Sequence, residues 1–241
     1  MCLKRKPLCD SHIIPEFFYK PLYDTRHRFH IISSTAGHKP QFKKKGIKEP
    51  LLCEGCECTL NKYEKYARGI FLGGQEIECE NKPSRIVVRS LEYQMLKLFQ
   101  MSILWRASVA KHPLFSNIAL GPHEERLRSM LYSGTAGEPY EYGCALICLL
   151  DNGKPLTDLI LQPVEIRLQG HRCYRFCING FFWHYFVSSH NPGRPWSDLF
   201  LQKEGSMIVY LTEEGEEKGY LRSLVANFRK RNPEWLQARE R

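Results

Sequence analysis

Cys53 and Cys56 form a C-x2-C pair, the spacing at which two thiolates can hold one metal ion. Gly55 between them favours the tight turn that directs backbone amides at the sulfurs, and Zn²⁺ commonly binds such pairs. A structural zinc site has four tetrahedral ligands, so two more must come from other segments. We therefore expect a zinc-binding turn at this position.

Cys2 is the best candidate for the third ligand, because it precedes a histidine-containing segment as a first zinc knuckle would. Arg5 stands where a second cysteine would complete a C-x2-C pair. Either Cys2 closes a pair whose other member precedes Met1, or the fourth ligand comes from elsewhere. Cys9 and Cys58 are available, although a small buried thiol is the more common role for such cysteines. The predicted Zn²⁺ ligands are Cys2, Cys53 and Cys56, with Cys9 as the open choice.

The second motif is Ser11-His12-Ile13-Ile14-Pro15, a histidine followed by two apolar residues and a proline. It resembles the Asp/His-His-Ile-x-Pro signature of the HNH (ββα-metal, treble-clef) endonuclease family. The later segment Leu51-Leu52-Cys53-Glu54-Gly55-Cys56 follows in the order in which that family places a zinc knuckle. The resemblance covers about the first 70 residues and implies a β-hairpin and a helix around one Mg²⁺ or Mn²⁺ ion.

The resemblance also implies roles for individual residues. His12 would be the general base that deprotonates water, a task suited to an imidazole, although a histidine packed beside a zinc site is the alternative. Ser11 and Glu57 occupy the positions of metal ligands, and Glu64 lies on the same predicted helical face as Glu57. A solvated helix stripe would have the same spacing. Ser11 replaces the usual Asp or His, and the family's middle Asn is absent, with Glu49 nearby.

Basic residues fill the stretch between the two motifs. Phosphates bind Arg and Lys while aromatic rings such as Phe29 stack on bases, so this composition favours a nucleic-acid-binding face. Gly37 and Pro40 are equally typical of a flexible loop. The predicted nucleic-acid-binding residues are Arg26, Arg28, Lys43, Lys44 and Lys45.

The net charge of +9 is concentrated in the same part of the chain. Residues 1–70 contain fourteen Lys and Arg against seven Asp and Glu, whereas the remaining residues contain twenty-one against nineteen. Such an excess is expected of a protein that binds the phosphate backbone, although a solvated basic surface is the alternative.

The overall composition is that of a soluble globular protein, with 43% apolar and 25% charged residues. No apolar stretch predicts a membrane helix or a secretory signal. The ten cysteines, several of them beside histidines, favour metal-bound thiolates in a reducing compartment over disulfides. We expect a cytoplasmic protein.

The remaining sequence predicts a second, α+β domain. We expect a zinc-stabilised ββα-metal module over residues 1–70, a linker over 71–83 and, over 84–241, helices packed on an antiparallel sheet. Helices are predicted from Ser84 to before Pro113, from Pro122 to Tyr132, and from Gly219 to Lys230. Strands are predicted by segments rich in β-branched and aromatic residues, around Cys144–Leu150, Leu159–Leu161, Val164–Leu168, Cys173–Ile178, Phe181–Val187 and Met207–Leu211.

Two functions follow as hypotheses. The first is a metal-dependent HNH-like endonuclease that hydrolyses DNA or RNA, of the kind found in bacterial defence systems and mobile elements. The second is a non-catalytic, zinc-stabilised adaptor that binds nucleic acid or protein through a degenerate HNH site. The second domain contains no recognisable catalytic motif, so we expect it to recognise a substrate or a protein partner. A third hypothesis makes the N-terminal module purely structural and places the activity in a pocket of the second domain.

Overall fold

In the computed structural model, residues 1–31, 41–157, 159–213 and 219 are described. The first part of the chain contains β1 (Cys9–His12), β2 (Phe29–Ile31), β3 (Gln41–Lys43), β4 (Lys48–Leu52) and α1 (Glu54–Leu72). Two short 3-10 turns, Glu16–Phe18 and Lys20–Leu22, follow β1. Strands β1 and β4 precede α1 in the chain, with β2 and β3 between them, and both the ββα-metal module and membership of the HNH family stay predictions.

The two sequence motifs meet in the β1–β4 pair. These strands are antiparallel, with Ser11 opposite Glu49 and His12 opposite Lys48. Successive side chains of a strand point to opposite faces, so Ser11 and His12 cannot serve the same site. α1 begins directly after Cys53, and Gly73, with a φ of 81°, follows its last residue.

The second part contributes the larger sheet and three more helices. Its elements are β5 (Glu78–Lys82), β6 (Arg85–Arg89), α2 (Tyr93–Val109), α3 (Pro122–Ser133), β7 (Cys144–Asp151), β8 (Lys154–Pro155), β9 (Ile160–Leu168), β10 (His171–Ile178), β11 (Phe181–Phe186), α4 (Trp196–Leu199) and β12 (Met207–Thr212). The strand order is β5-β6-β12-β7-β11-β10-β9, with β8 paired to β7. All pairs are antiparallel except β7 with β12. The chain is thus a mixed α+β protein in which helices pack on a mainly antiparallel sheet, as predicted.

The core helix begins later than its sequence predicts. Ile86, Val87 and Val88 belong to strand β6, which pairs with β5 and β12, and α2 begins only at Tyr93. Consecutive β-branched residues favour a strand, and the pairing with β12 is not visible in the local sequence. Ser90 has a positive φ of 62° and separates the strand from the helix.

The predicted strands are found, with one merger. Leu159–Leu161 and Val164–Leu168 lie largely within the single strand β9, which continues through Pro163. β9 is an edge strand, where a residue without a backbone N–H is tolerated. The Asn179-Gly180 hairpin between β10 and β11 is confirmed, and both residues have positive φ values, as a type I′ turn requires. α3 agrees with its prediction, whereas the predicted helix Gly219–Lys230 lies outside the described residues apart from Gly219.

The stretch 71–83, expected to be a linker, contains the end of α1 and strand β5. One buried cluster joins residues on both sides of it. Phe18 contacts Phe71, Phe99 and Trp183, with ring centroids 5.2, 6.2 and 5.8 Å away. The apolar residues of the first motif, Ile13 and Ile14, are buried in the same cluster. The core therefore continues across the expected boundary.

Candidate metal centre and nucleic-acid interface

Three thiols meet where β4 ends and α1 begins. The sulfur atoms of Cys2, Cys53 and Cys56 all lie within 4.8 Å of one another, and the Cys2 and Cys53 sulfurs are 3.7 Å apart. Cys53 immediately precedes α1 and Cys56 lies in its first turn, so the helix start sets their spacing. This donor set fits three of the four ligands of a structural Zn²⁺. In the described part of the chain it is the only group of three His, Cys, Asp or Glu with this geometry.

Cys2 is held against α1 by the second part of the chain. Arg128 of α3 donates a hydrogen bond to the Met1 carbonyl and is itself paired with Glu125. A hydrogen bond from the Lys4 backbone N–H, together with hydrogen bonds to the Cys53 and Cys56 thiols, lowers the pKa of the Cys2 thiol to about 7 against the opposing effect of burial. Burial raises the pKa of Cys56 to about 11. A thiol that ionises near neutral pH is suited to metal binding.

Cys9 does not belong to the thiol group. It is half-buried at the start of β1, opposite Leu52, and burial together with the negative charges of Glu57 and Glu54 raises its pKa. Cys58 is exposed on α1. Neither cysteine completes the cluster in this arrangement, so the fourth ligand is not among the predicted residues.

Ser11 has a structural role that differs from its predicted one. Its hydroxyl is buried, accepts a hydrogen bond from the Leu52 N–H at 3.1 Å and donates to the Cys9 carbonyl at 3.3 Å. It therefore ties β1 to the residue just before the thiol cluster. With its hydroxyl used in this way, Ser11 is not positioned to bind a catalytic metal beside His12.

The carboxylate beside His12 is Glu16, which the motif analysis missed. The His12 Nε2 atom contacts a Glu16 carboxylate oxygen, and the Tyr23 hydroxyl donates to the other oxygen at 2.7 Å. Burial and the nearby Lys48 charge lower the pKa of His12, while Glu16 opposes that shift. The four-residue spacing of His12 and Glu16 was the available sequence signal.

Glu64 is engaged by Arg106, a buried residue of α2. The Arg106 Nη1 atom lies 2.5 Å from Glu64 Oε1 and 2.8 Å from the His12 carbonyl oxygen. Glu64 thus pairs with a buried arginine that also binds the backbone carbonyl of His12. A lone arginine in an apolar helix gave no sequence signal for this contact.

The predicted catalytic metal set is not assembled by these residues. The negative charge of Glu57 raises the pKa of Cys9, and its Oε1 atom is buried with no hydrogen-bond partner among the described residues. Ser11 is used by the backbone and Glu64 by Arg106, so His12, Ser11, Glu57 and Glu64 do not share one site. This donor set does not fit a Mg²⁺ or Mn²⁺ ion, which requires several oxygen ligands around one point.

The predicted lysines form one surface. Lys43, Lys44, Lys45 and Lys48 are exposed and, with Gly46, Ile47 and His112, line an open cleft of about 390 Å³, here called the basic cleft. Gly46 lines the basic cleft and also lies next to the site around His12, because a Cβ atom at Gly46 would be 2.9 Å from Glu16 Oε2. The basic cleft and the His12–Glu16 pair are therefore neighbours.

The two predicted arginines are not part of the basic cleft. Arg28 pairs with Asp24 through its guanidinium, and the backbone N–H groups of Arg26 and Arg28 also donate to this carboxylate. The Arg26 side chain is exposed. Only the lysines of the predicted nucleic-acid-binding set line the cleft.

Glu49, which lies near the position of the family's middle Asn, binds the segment that follows α2. Its carboxylate oxygens accept hydrogen bonds from the backbone N–H groups of Lys111 and His112, at 2.8 and 2.5 Å. This contact brings the segment after α2 to the basic cleft. The sequence places Glu49 and His112 far apart, and neither residue belongs to a motif that links them.

None of the helices in the described ranges has the length and apolarity that a membrane-spanning segment needs. Comparison with known proteins finds no matching family model, no matching curated protein and no matching solved structure.

Proposed function

We propose that the chain is a nucleic-acid-binding protein whose N-terminal part is held by a zinc–thiolate centre. The observation that carries the proposal is the basic cleft, in which Lys43, Lys44, Lys45 and Lys48 surround one concave surface. Lysines on a shared surface bind successive phosphates and release condensed counterions. Such contacts give affinity without sequence specificity.

The metal would act structurally. Cys2, Cys53 and Cys56 would hold Zn²⁺ at the junction of β4 and α1, and β4 begins with Lys48 of the basic cleft. A bound ion supplies folding free energy at this junction, because the ligands of a structural site are not preassembled in the unfolded chain. We expect the purified protein to contain about one zinc per chain and to lose thermal stability when a chelator removes it.

Nucleic-acid binding is tested by fluorescence anisotropy with single-stranded DNA, duplex DNA and RNA over a range of salt concentrations. In a triple variant, Lys43→Gln, Lys44→Gln and Lys45→Gln, the slope of log K against log salt should fall by about 2 to 3, since each lost phosphate contact removes ~0.7 to 0.9. A matched variant, Lys62→Gln, Lys65→Gln and Arg68→Gln, removes three exposed charges of α1 outside the cleft. Equal losses in both variants, or no binding by the zinc-loaded protein, would contradict the proposal.

Phosphodiester hydrolysis is the second candidate function, favoured by the His12–Glu16 pair beside the basic cleft. A neutral imidazole can accept the proton of an attacking oxygen while the carboxylate orients the ring and stabilises the imidazolium that forms. This activity is the endonuclease activity that the HNH resemblance implies. The carboxylate beside the base His12 is Glu16, whereas the resemblance implied Glu57 and Glu64. No step is assigned to a Mg²⁺ or Mn²⁺ ion, since the residues present do not fit one.

The zinc-loaded protein should be tested for cleavage of plasmid DNA, single-stranded DNA and RNA. Each substrate is incubated with Mg²⁺, with Mn²⁺ and with neither ion. Cleavage that disappears in His12→Ala at equal zinc content and equal binding would establish hydrolysis at this pair. Binding without cleavage under all three conditions would leave the binding function alone.

A further inference from the structure

The basic cleft contains one side chain that the resemblance and the charge pattern do not explain. His112 follows α2 in the second part of the chain, yet its ring lines the cleft together with the four lysines. The cleft is thus built from two distant segments of the sequence.

The position of His112 is fixed by its backbone. Its N–H group and that of Lys111 donate to the two oxygens of Glu49, which lies on β4 next to Lys48. Two parallel hydrogen bonds to one carboxylate hold the segment against β4. The histidine therefore keeps its place relative to the lysine-bearing loop.

The ring is oriented by a third hydrogen bond. The Leu114 N–H donates to the His112 Nδ1 atom at 3.2 Å, at the start of the 3-10 turn Pro113–Phe115. An Nδ1 atom that accepts a hydrogen bond has no proton, so a neutral ring carries its proton on Nε2. In the described part of the chain, no residue hydrogen-bonds to Nε2.

The surroundings of the ring favour this neutral form. Burial lowers the pKa of His112 and the Lys43 charge lowers it further, whereas Glu49 acts in the opposite direction. A neutral donor held in place differs from a lysine, which is a charged group on a flexible stem.

We infer that His112 is a phosphate-binding residue of the basic cleft: its Nε2–H donates a hydrogen bond to a phosphate oxygen that the surrounding lysines attract. Glu49 and the Leu114 N–H are the groups that position it. The inference rests on the proposed binding function and deepens it, because it adds a directional contact from the second part of the chain. The shared ligand chemistry is a phosphate oxygen, supplied by a nucleic-acid backbone or by free phosphate.

The test uses the full chain, zinc-loaded, and two substitutions at one position. His112→Phe keeps a ring of similar shape without a donor, and His112→Gln keeps an N–H donor near the place of Nε2. His190→Phe, at an exposed histidine outside the cleft, is the control. Thermal unfolding of each variant establishes that it is folded. Binding of a single-stranded oligonucleotide and of inorganic phosphate is measured for each, and an uncharged peptide nucleic acid of the same base sequence serves as the backbone-free probe.

We expect His112→Phe to weaken oligonucleotide binding about fivefold, the effect of one hydrogen bond. His112→Gln should stay within about twofold of the parent, and His190→Phe should not differ from it. The slope of log K against log salt should be the same in His112→Phe as in the parent, because a neutral donor releases no counterion. The uncharged probe should not bind.

Several results would overturn the inference. These are unchanged binding in folded His112→Phe, an equal loss in His112→Gln, or a fall of about 0.7 to 0.9 in the salt slope, which would mean a charged imidazole. If the parent binds no oligonucleotide, the proposed function fails and the phosphate arm decides. Inorganic phosphate that binds the parent and is lost in His112→Phe would support a site for free phosphate, and phosphate that does not bind would reject His112 as a phosphate-binding residue.

Discussion

Arg106 shows how one buried charge can position a candidate site. Its side chain is 2% exposed, and it donates to the Glu64 carboxylate, the His12 carbonyl and Ser102. Arginine is the residue type best suited to binding several acceptors from a buried position, because its guanidinium stays charged and offers several donors in fixed directions. The backbone of the first motif is held to α2 through this group.

Replacing Arg106 by Met should lower the free energy of unfolding by roughly 3 kcal/mol or more, because Glu64 and the His12 carbonyl would lose their partner inside the protein. Arg126→Met is the matched control, since Arg126 also pairs with a glutamate but is 48% exposed and should cost under about 1 kcal/mol. Urea unfolding measures both. Similar costs for the two variants would refute the structural role of Arg106.

Lys97 should make stability depend on pH. Its ammonium is fully buried in α2, donates to the carbonyls of Pro139 and Tyr142, and has its pKa lowered by burial from 10.5 to about 7. In the unfolded chain the group keeps its ordinary pKa, so above about pH 7 the unfolded state binds a proton that the folded state lacks. The free energy of unfolding should therefore rise with pH above about pH 7, by up to about 1.4 kcal/mol per pH unit. Below about pH 7 Lys97 is charged in both states, and the destabilisation caused by burying its charge is then at its maximum.

A Lys97→Met variant lacks this titration and is the reference. We expect the stability of the parent relative to the variant to increase between about pH 7 and about pH 9, as measured by urea unfolding at each pH. A difference between the two proteins that does not change with pH would show that Lys97 stays charged in the folded state.

At the scale of the elements, the loop between β3 and β4 packs closely on its surroundings. A Cβ atom at Gly46 would lie 2.6 Å from the Tyr19 ring and 2.9 Å from Glu16 Oε2. The absence of a side chain at Gly46 thus allows the lysine-bearing loop to lie against the His12–Glu16 pair. The loop could not take this position with any other residue there unless those neighbours moved.

Gly46→Ala should reduce stability by about 1 to 3 kcal/mol, the usual cost of overpacking, and should also weaken binding in the basic cleft. Gly55→Ala is the control, because a Cβ atom there meets nothing within 4 Å and a helix gains up to about 1 kcal/mol from Ala in place of Gly. Differential scanning calorimetry compares the two. A Gly46→Ala protein as stable as the parent would mean that the loop moves freely.

Local sequence patterns predicted most of the helices and strands but few of the side-chain contacts between them. The Asn179-Gly180 turn, the apolar strands and the C-x2-C turn depend on neighbours in sequence, so they were visible. The third thiol, Cys2, followed from its order in the motif, and the structure places it 3.7 Å from Cys53. Glu16 beside His12, Arg106 beside Glu64 and Glu49 beside His112 were missed because only tertiary folding brings these residues together. The start of α2 was predicted too early because β6 depends on a strand from the end of the described chain.

At the scale of the whole molecule, the N-terminal part with the three clustered thiols and the sheet share one core. Phe18, in the turn after the first motif, packs on Phe99 of α2 and Trp183 of β11. Neither part can bury these aromatic rings alone. Two separate folding units would each need a complete core of their own.

We expect the full chain to unfold in a single cooperative transition. Tryptophan fluorescence, far-UV circular dichroism and release of zinc to a chromogenic chelator should give the same urea midpoint. Trp183→Ala should lower that midpoint for all three signals together, at a cost of about 3 to 5 kcal/mol. Zinc release at a clearly lower urea concentration than loss of helix would show that the N-terminal part unfolds independently.

The parallel pairing of β12 has a consequence for synthesis on the ribosome. This strand occupies the position between β6 and β7, although both are translated long before it. Until residues 207–212 emerge, β6 and β7 face each other across a missing strand, and each has an open edge that can pair with another chain. A transcript cut short before this point would yield a protein with the helices α1 to α4 and most of the described strands but two unprotected edges, a species prone to aggregation. The middle of the sheet thus closes only when translation has passed β12.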